Sequence, residues 1–351
     1  MRKIGILTFH NVMNYGAVLQ CYALQKVINK RYGNCLVIPY VNKQLAWNDK
    51  PVHLTPFNVK TIAKTVSQGL GNLKKRKTFD VFLSECIQFG DASNLANYTD
   101  IVVGSDQVWN VNLTNNDYTY FLEDYNGNKY AYAASFGEDD IPEDALKRIK
   151  EDVSRFAAVS VREQAAWQVL NKEKIESQVV IDPVLLLEED EWKKTVINLQ
   201  AHKEKYILVY CVEKSKRVFD YVRRLSDRTG LKIYYLNQNM FFKEKGLIYK
   251  RGVSPIEFLN YIQDAEYIVT NSFHGTAFSI IFEKKFAVDT IWHDEKNIRI
   301  SNLLSMFELN DRDMNSLNEN IGQEIDYTSV KSVLVENRKL AQQFLDKCFV
   351  E

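Results

Sequence analysis

The first forty residues constrain the fold more than any other stretch. Residues 3–9 (KIGILTF) are a run of mostly apolar, β-prone residues and read as a buried strand. A polar loop follows at 10–16 (HNVMNYG). Residues 17–32 then place Ala17, Cys21, Leu24, Val27 and Ile28 on one helical face. Gly33 and Asn34 stop that helix, and 36–40 is a second strand. Strand, loop, helix, strand in this order is the opening of a Rossmann-like parallel sheet, because the helix carries the chain back over one face. The loop has no GxGxxG, so a dinucleotide fingerprint is absent. Asn14, Tyr15 and Gly16 are expected at the carboxyl end of the sheet, where open α/β folds bind ligands. They are acceptor candidates on that ground, and serve equally well as a plain structural turn.

Residues 42–97 read as an insertion of helices and loops. Helical spacing runs over 59–73 and 79–87, with Lys74, Lys75, Arg76 and Lys77 between them. Four cations suit a lipid headgroup or a diphosphate, which leaves a peripheral membrane contact open; they suit a solvated helix face more simply. Residues 100–103 are a strand, followed by Gly104-Ser105-Asp106-Gln107-Val108-Trp109-Asn110. Hydrogen-bonding side chains around an indole at a strand end fit a sugar platform, since the ring has an apolar body and a polar tip. Ser105, Gln107 and Trp109 are therefore acceptor candidates. The competing reading is a capped helix start with Trp109 in the core.

Strands at 129–136, 159–162 and 179–181 alternate with helices at 142–156 and 163–170. Pro183 restricts Asp182 to an extended backbone, and 182–188 reads as the hinge between domains. The second half repeats the pattern, with strands at 205–212, 231–236, 267–270 and 286–289 and helices at 215–229 and 255–262. The last helix, 327–349, carries Val330, Val333, Leu334, Leu340, Ala341, Phe344 and Leu345 on one side and is expected to pack back on the chain. The expected domains are 1–185 for the acceptor and 186–325 for the donor, with 326–351 returning to the first.

The stretch 270–286 (TNSFHGTAFSIIFEKKF) carries the most chemistry. A short strand runs into Asn271 and Ser272, both good N-cap residues, then His274, Gly275 and a helical run. A histidine where a strand turns into a helix sits among unpaired backbone N–H groups, a ready anion site, and the small glycine lets a ligand approach the backbone. A buried histidine on an ordinary turn is the alternative.

At 351 residues the chain is long enough for two domains with separate cores. Lys+Arg and Asp+Glu both number 45, so no global charge argues for nucleic acid, and an anionic ligand must be met by local clusters. The five cysteines are scattered without CxxC spacing, as reduced core residues of a cytoplasmic protein would be. No HExxH or paired carboxylate cluster calls for metal. The apolar run after Met1-Arg2-Lys3 is too short for a signal peptide, and no stretch reaches a membrane span.

Several stretches occur in an order that carries a resemblance: NYGAVLQ, GSDQVW, SVRE, IDPVLLL, SFHG and a lysine past the following strand. Together they resemble the polysaccharide pyruvyl transferase family over nearly the whole chain. The resemblance implies two Rossmann-like domains facing across a cleft, similar to GT-B glycosyltransferases. It also implies transfer of the enolpyruvyl skeleton of phosphoenolpyruvate, as co-substrate without further cofactor, to a sugar, giving a pyruvate ketal and phosphate. The acceptor would be a lipid-linked or nucleotide-linked sugar, with galactose suggested by family habit, for a capsule or exopolysaccharide made in the cytoplasm or at the inner membrane face. By motif, Arg162, His274 and Lys296 resemble the donor-binding arginine, histidine and lysine. Two positions depart from the pattern: Ser272 stands where many members have arginine, and Ala17 where many have aspartate. Arg299 or Lys285 is left to replace the lost charge, and Ser272 and Gly275 join the donor set.

The chemistry asks for these residue types. Phosphoenolpyruvate approaches three negative charges, whereas a helix terminus contributes only about 0.3–1 kcal/mol toward one anion. Fixed cations must do most of the holding; Arg162 can offer two parallel bonds and Lys296 a mobile point charge. A histidine suits protonation of the donor methylene, because its pKa lies near the working pH. His274 is thus the candidate acid, or the group that neutralises the leaving phosphate, and Asp106 the candidate base. A glycosyltransferase using a nucleotide sugar on the same fold, and a non-catalytic binding homologue, are the competing functions.

Overall fold

The computed structural model describes residues 2–48, 59–137, 141, 143–197, 199–238, 244–292, 295–317 and 321–350. The chain divides into two compact units. One comprises Met1–Asp49, Leu83–Leu187 and Leu334–Glu351; the other comprises Lys50–Phe82 and Glu188–Val333.

The first unit is built on strands β1 (Ile4–Leu7), β2 (Cys35–Val37), β3 (Asp100–Asp106), β4 (Asn128–Ala134), β5 (Ala158–Val161) and β6 (Gln178–Val179). All pair in parallel, in the order β2-β1-β3-β4-β5-β6. β1 and β3 are buried throughout, as the central strands of a sheet covered on both faces must be. The chain steps outward from β1 to β2, then returns to lay β3 on the other side of β1. That reversal parts the two loops and leaves a crevice at the carboxyl ends of β1 and β3.

The loop after β1 ends at Asn14, whose Oδ1 accepts from Gly16 N at 2.9 Å and caps the helix Tyr15–Arg31. The end of the helix Tyr327–Phe349 also belongs to this unit. Its Phe349 ring lies 4.9 Å from Tyr32, and Arg338 donates to the carbonyls of Leu185 and Leu187, each at 2.7 Å. Leu340, expected on the packed side, is 53% exposed.

The second unit carries β7 (Tyr206–Tyr210), β8 (Lys232–Leu236), β9 (Leu247–Lys250), β10 (Tyr267–Thr270) and β11 (Lys285–Val288). Their parallel order is β11-β10-β7-β8-β9, so the reversal here falls between β7 and β10. A short antiparallel pair, β12 (Ile291–Trp292) and β13 (Glu295–Lys296), follows.

The insertion differs from its expected form. Val59–Cys86 is one continuous helix of 28 residues, and it groups with the second unit as far as Phe82. The basic run that suggested a break is good helix sequence, because Lys and Arg rank close to the best helix formers. Arg76 Nε lies 2.8 Å from Asp80 Oδ1 one turn on, and Lys75 Nζ stands 5.0 Å from the Phe79 ring. Gly71 sits in this helix where a Cβ would strike the backbone carbonyl of Gln238.

Candidate active site

In the second unit, the crevice of the sheet is edged by the turn after β10. Ser272 N-caps the helix Phe273–Ile281, its Oγ accepting from Gly275 N at 3.2 Å. Thr270 Oγ1 accepts from Ser272 N at 3.0 Å and donates to Tyr210 O at 2.5 Å, which ties the turn to the neighbouring strand β7. Asn271 fastens the other side: its Oδ1 accepts from Val212 N and its Nδ2 donates to Glu213 O, both at 2.9 Å. His274 is thereby held in the first helical turn, 7% exposed, with its ring edge-on to Phe273 at 5.2 Å. The first-turn N–H groups and the helix dipole favour an anion at this end. Gly275 has a reason other than ligand approach for its lack of a side chain: a Cβ there would meet Thr270 Oγ1.

Other groups cluster at the same end of this sheet. Asp289, after β11, accepts from Ser215 Oγ at 2.7 Å and from Arg217 Nη1 at 2.9 Å. Arg217 is a cation that sequence reasoning missed, and it is already paired. Burial, aided by Asp289, pushes the Cys211 thiol up to about 12, which makes it a core residue and no nucleophile. Lys285 begins β11, at the amino end of the sheet, and its Nζ pairs with Glu324 Oε1 at 3.1 Å. It therefore cannot stand in for the arginine missing at Ser272.

In the first unit, the crevice is edged by the end of β3. Asp106 adopts a left-handed backbone, φ 70°, a region that aspartate enters more readily than most residues. Its Oδ1 accepts from Gln107 N at 2.9 Å. Next to it in the sheet, β4 shifts register against β5 between Ala131 and Ala134, with Ala133 at φ 49°. Such a bulge re-aims the residues that follow.

Arg162 follows directly on β5, with its side chain 2% exposed. Its Nε donates to Glu163 Oε1 at 2.9 Å, its Nη1 to Asp182 Oδ2 at 3.1 Å, and Nη1 stands 4.0 Å from Asp106 Oδ1. Burial alone works against a charged guanidinium, but Glu163, Asp182 and Asp106 outweigh it and raise its pKa above the usual arginine value. Asp182 also accepts from Ser105 Oγ at 2.8 Å and, through Oδ1, from Val184 N at 3.0 Å. Glu163 Oε1 takes a second bond from Ser135 Oγ at 2.9 Å. Asp182, Glu163 and Ser135 were not singled out from the sequence, and Asp182 was read only as part of a hinge.

Three acceptor candidates are corrected by this geometry. Trp109 is 1% exposed, stacked on Phe121 at 5.9 Å and flanked by Phe136 and Phe156, with Nε1 donating to Tyr120 O; it offers no ring face to a sugar. Ser105 is fully buried and spends its hydroxyl on Asp182. Tyr15 is 2% exposed, in the core. Asn14 is exposed and Gln107 half-buried, so both remain at the crevice, with the backbone of Gly16 between cap and helix. Arg299 is half-buried in the first turn of the helix Ile298–Met306. Lys296 lies in β13, but its side chain falls outside the described residues, as do His293 and Asp294 entirely. Among the described residues, no group of three or more His, Cys, Asp or Glu could hold a metal ion, and no helix is long and apolar enough to cross a membrane.

Comparison with known proteins gives a family and a fold. The family model described as polysaccharide pyruvyl transferase matches residues 14–288. No curated protein matches the sequence at a significant level. Among solved structures, the chain is similar to the S. aureus MnaA–UDP co-structure, at 14% identity and TM-score 0.50, over 99% of this chain and 92% of that one. It is also similar to a putative UDP-N-acetylglucosamine 2-epimerase from Listeria monocytogenes, at 12% identity and TM-score 0.50, over 97% of each chain. At such identities the likeness is one of fold alone: GT-B, with two α/β units on parallel sheets.

Proposed function

The chain belongs to the polysaccharide pyruvyl transferase family, an enzyme family acting on sugar acceptors, and from that premise we propose that it moves the enolpyruvyl group of phosphoenolpyruvate onto two hydroxyls of a sugar, forming a cyclic ketal and releasing phosphate. The observation that carries this reading is the capped turn at Ser272, which holds His274 among the first N–H groups of a helix.

In this scheme the donor methylene takes a proton and its C2 becomes an electrophile. One sugar hydroxyl adds to C2, the C–O bond to phosphate breaks, and the second hydroxyl closes the ring. Two C–O bonds form and one breaks; of the two hydroxyl protons, one balances the new methyl group and the other leaves with phosphate. His274 is assigned the proton delivered to the methylene, or to the departing phosphate. The helix terminus, Lys296 and Arg299 are assigned to the donor's charges, and Asp106 to the acceptor hydroxyl, with Asn14 and Gln107 as further acceptor contacts. The acceptor is taken to be a lipid-linked or nucleotide-linked precursor of a capsular or exopolysaccharide, with galactose as the first sugar to try.

A thermal-shift series tests the donor. Saturable stabilisation by phosphoenolpyruvate is the expected result, whether or not a nucleotide-linked sugar also binds as acceptor. Stabilisation by nucleotide sugars alone would favour glycosyl transfer and overturn the proposal.

A further inference from the structure

Asp289 follows directly on β11, and its side chain is 1% exposed. Its Oδ2 accepts from Ser215 Oγ at 2.7 Å and its Oδ1 from Arg217 Nη1 at 2.9 Å, both at the start of the helix Lys216–Thr229. Its backbone N–H donates to Thr270 O at 2.9 Å, at the end of the strand that leads into the His274 turn. Its Oδ1 also takes a longer bond, 3.4 Å, from Ile291 N in β12. One residue thus touches the strand before the His274 turn, a helix start and the foot of the β12–β13 hairpin in which Lys296 lies.

That hairpin has two residues in each strand, and a two-stranded pair of this size has little stability of its own. Its foot is held from outside. Asn297 N donates to Thr290 O at 2.6 Å, which pins the outgoing strand to the incoming one. Thr290, fully buried, gives its hydroxyl to Asp313 Oδ2 at 2.7 Å. Asn315 accepts from Arg217 Nη2 at 2.9 Å and donates to Asp313 Oδ1 at 2.8 Å. Arg217 therefore spans Asp289 and Asn315, one terminal nitrogen on each. Asp289 is too enclosed, and of the wrong sign, to bind an anionic donor itself. Paired with Arg217, its charge is offset, and its removal would leave a serine and an arginine without their acceptor.

We infer that Asp289, with Arg217 as its counter-ion, is a positioning residue that fixes the hairpin of Lys296 relative to the His274 turn. This rests on the pyruvyl-transfer reading, in which Lys296 meets the donor's charge. A group that binds a ligand must be held near its working geometry by neighbours that do not touch the ligand, and a two-residue strand pair cannot supply that hold alone.

The test is steady-state phosphate release by the full chain, with phosphoenolpyruvate and then the sugar acceptor varied, for wild type, Asp289→Ala, Lys296→Ala and the double variant. Circular-dichroism melts check folding. The expected result is that Asp289→Ala raises KM for phosphoenolpyruvate about tenfold or more, while KM for the acceptor stays within a factor of about three. In the Lys296→Ala background the same substitution changes KM for phosphoenolpyruvate by a factor of about three or less, because the cation it positions is gone. An unchanged KM for phosphoenolpyruvate in folded Asp289→Ala, an equal rise in both KM values, or independent multiplying effects of the two substitutions overturns the inference and leaves the pyruvyl-transfer reading standing. Should Asp289→Ala fail to fold, Arg217→Gln enters the same cycle with the same outcomes. Absence of phosphate release by wild type on any acceptor is a distinct result and defeats the pyruvyl-transfer reading together with the inference.

Discussion

Thr270 fills the space beneath Gly275 that a side chain would need. The hydroxyl that does so also holds Ser272 N and reaches Tyr210 O, so one threonine sets both the start of the helix and its distance from β7. Gly275→Ala should therefore push the turn carrying His274 out of place. The expected cost is about 1–3 kcal/mol of stability, as for other overpacked sites, with a loss of turnover. Adding Thr270→Ala should recover part of the loss from Gly275→Ala, measured as non-additivity in thermal melts.

Ser272 caps the helix Phe273–Ile281. Ser272→Ala should destabilise the protein by about 0.5–2 kcal/mol, because Gly275 N loses its acceptor. If the turn also binds the donor, the variant should lose saturable stabilisation by phosphoenolpyruvate beyond that amount. A thermal-shift titration reads both.

Trp109 is a core residue in an aromatic cluster. Trp109→Ala should cost about 3–5 kcal/mol, and Trp109→Phe much less. The Phe variant should leave KM for the acceptor unchanged once folded. A marked rise in that KM would restore the sugar-platform role to Trp109.

Asp346 joins the last helix to Arg31 and Tyr32, at 2.9 and 2.6 Å. The bond from Tyr32, with help from Arg31, holds its carboxyl below the usual carboxylate value. The folded-state pKa is thus the lower one. Its stabilisation is present above the unfolded value of about 3.9 and fades as pH falls through the depressed folded value. Asp346→Asn should lower the melting temperature at neutral pH, with the gap from wild type closing only below about pH 4. A gap that is constant with pH would show that the charge is not involved.

Local pattern made much of the fold legible. The helix Tyr327–Phe349 and the Ser215 cap before Lys216–Thr229 follow from periodicity and cap residues. β9 was not legible: Leu247–Lys250 is a half-exposed edge strand of four residues, two of them Tyr and Lys, with no clear alternation. The site shows the same divide. His274, Ser272 and Gly275 are neighbours in sequence, so their shared turn could be read directly. Ser105 and Asp182 lie 77 positions apart, and Ser135 and Glu163 lie 28 apart. Sheet order and the β4 bulge bring those pairs together, and neither has a signal in residue spacing. Trp109 was misplaced because an indole among polar residues looks alike in a core and at a binding face; only Phe121, Phe136 and Phe156 from other segments decide between them.

The most direct measurement of the central claim is the rate of phosphate release from phosphoenolpyruvate, in the presence of a sugar acceptor, by wild type and by His274→Ala. The expected result is turnover by wild type and a loss of about 10²–10⁴-fold in the variant, with the melting curve preserved. Near-normal turnover by a folded His274→Ala protein would contradict it.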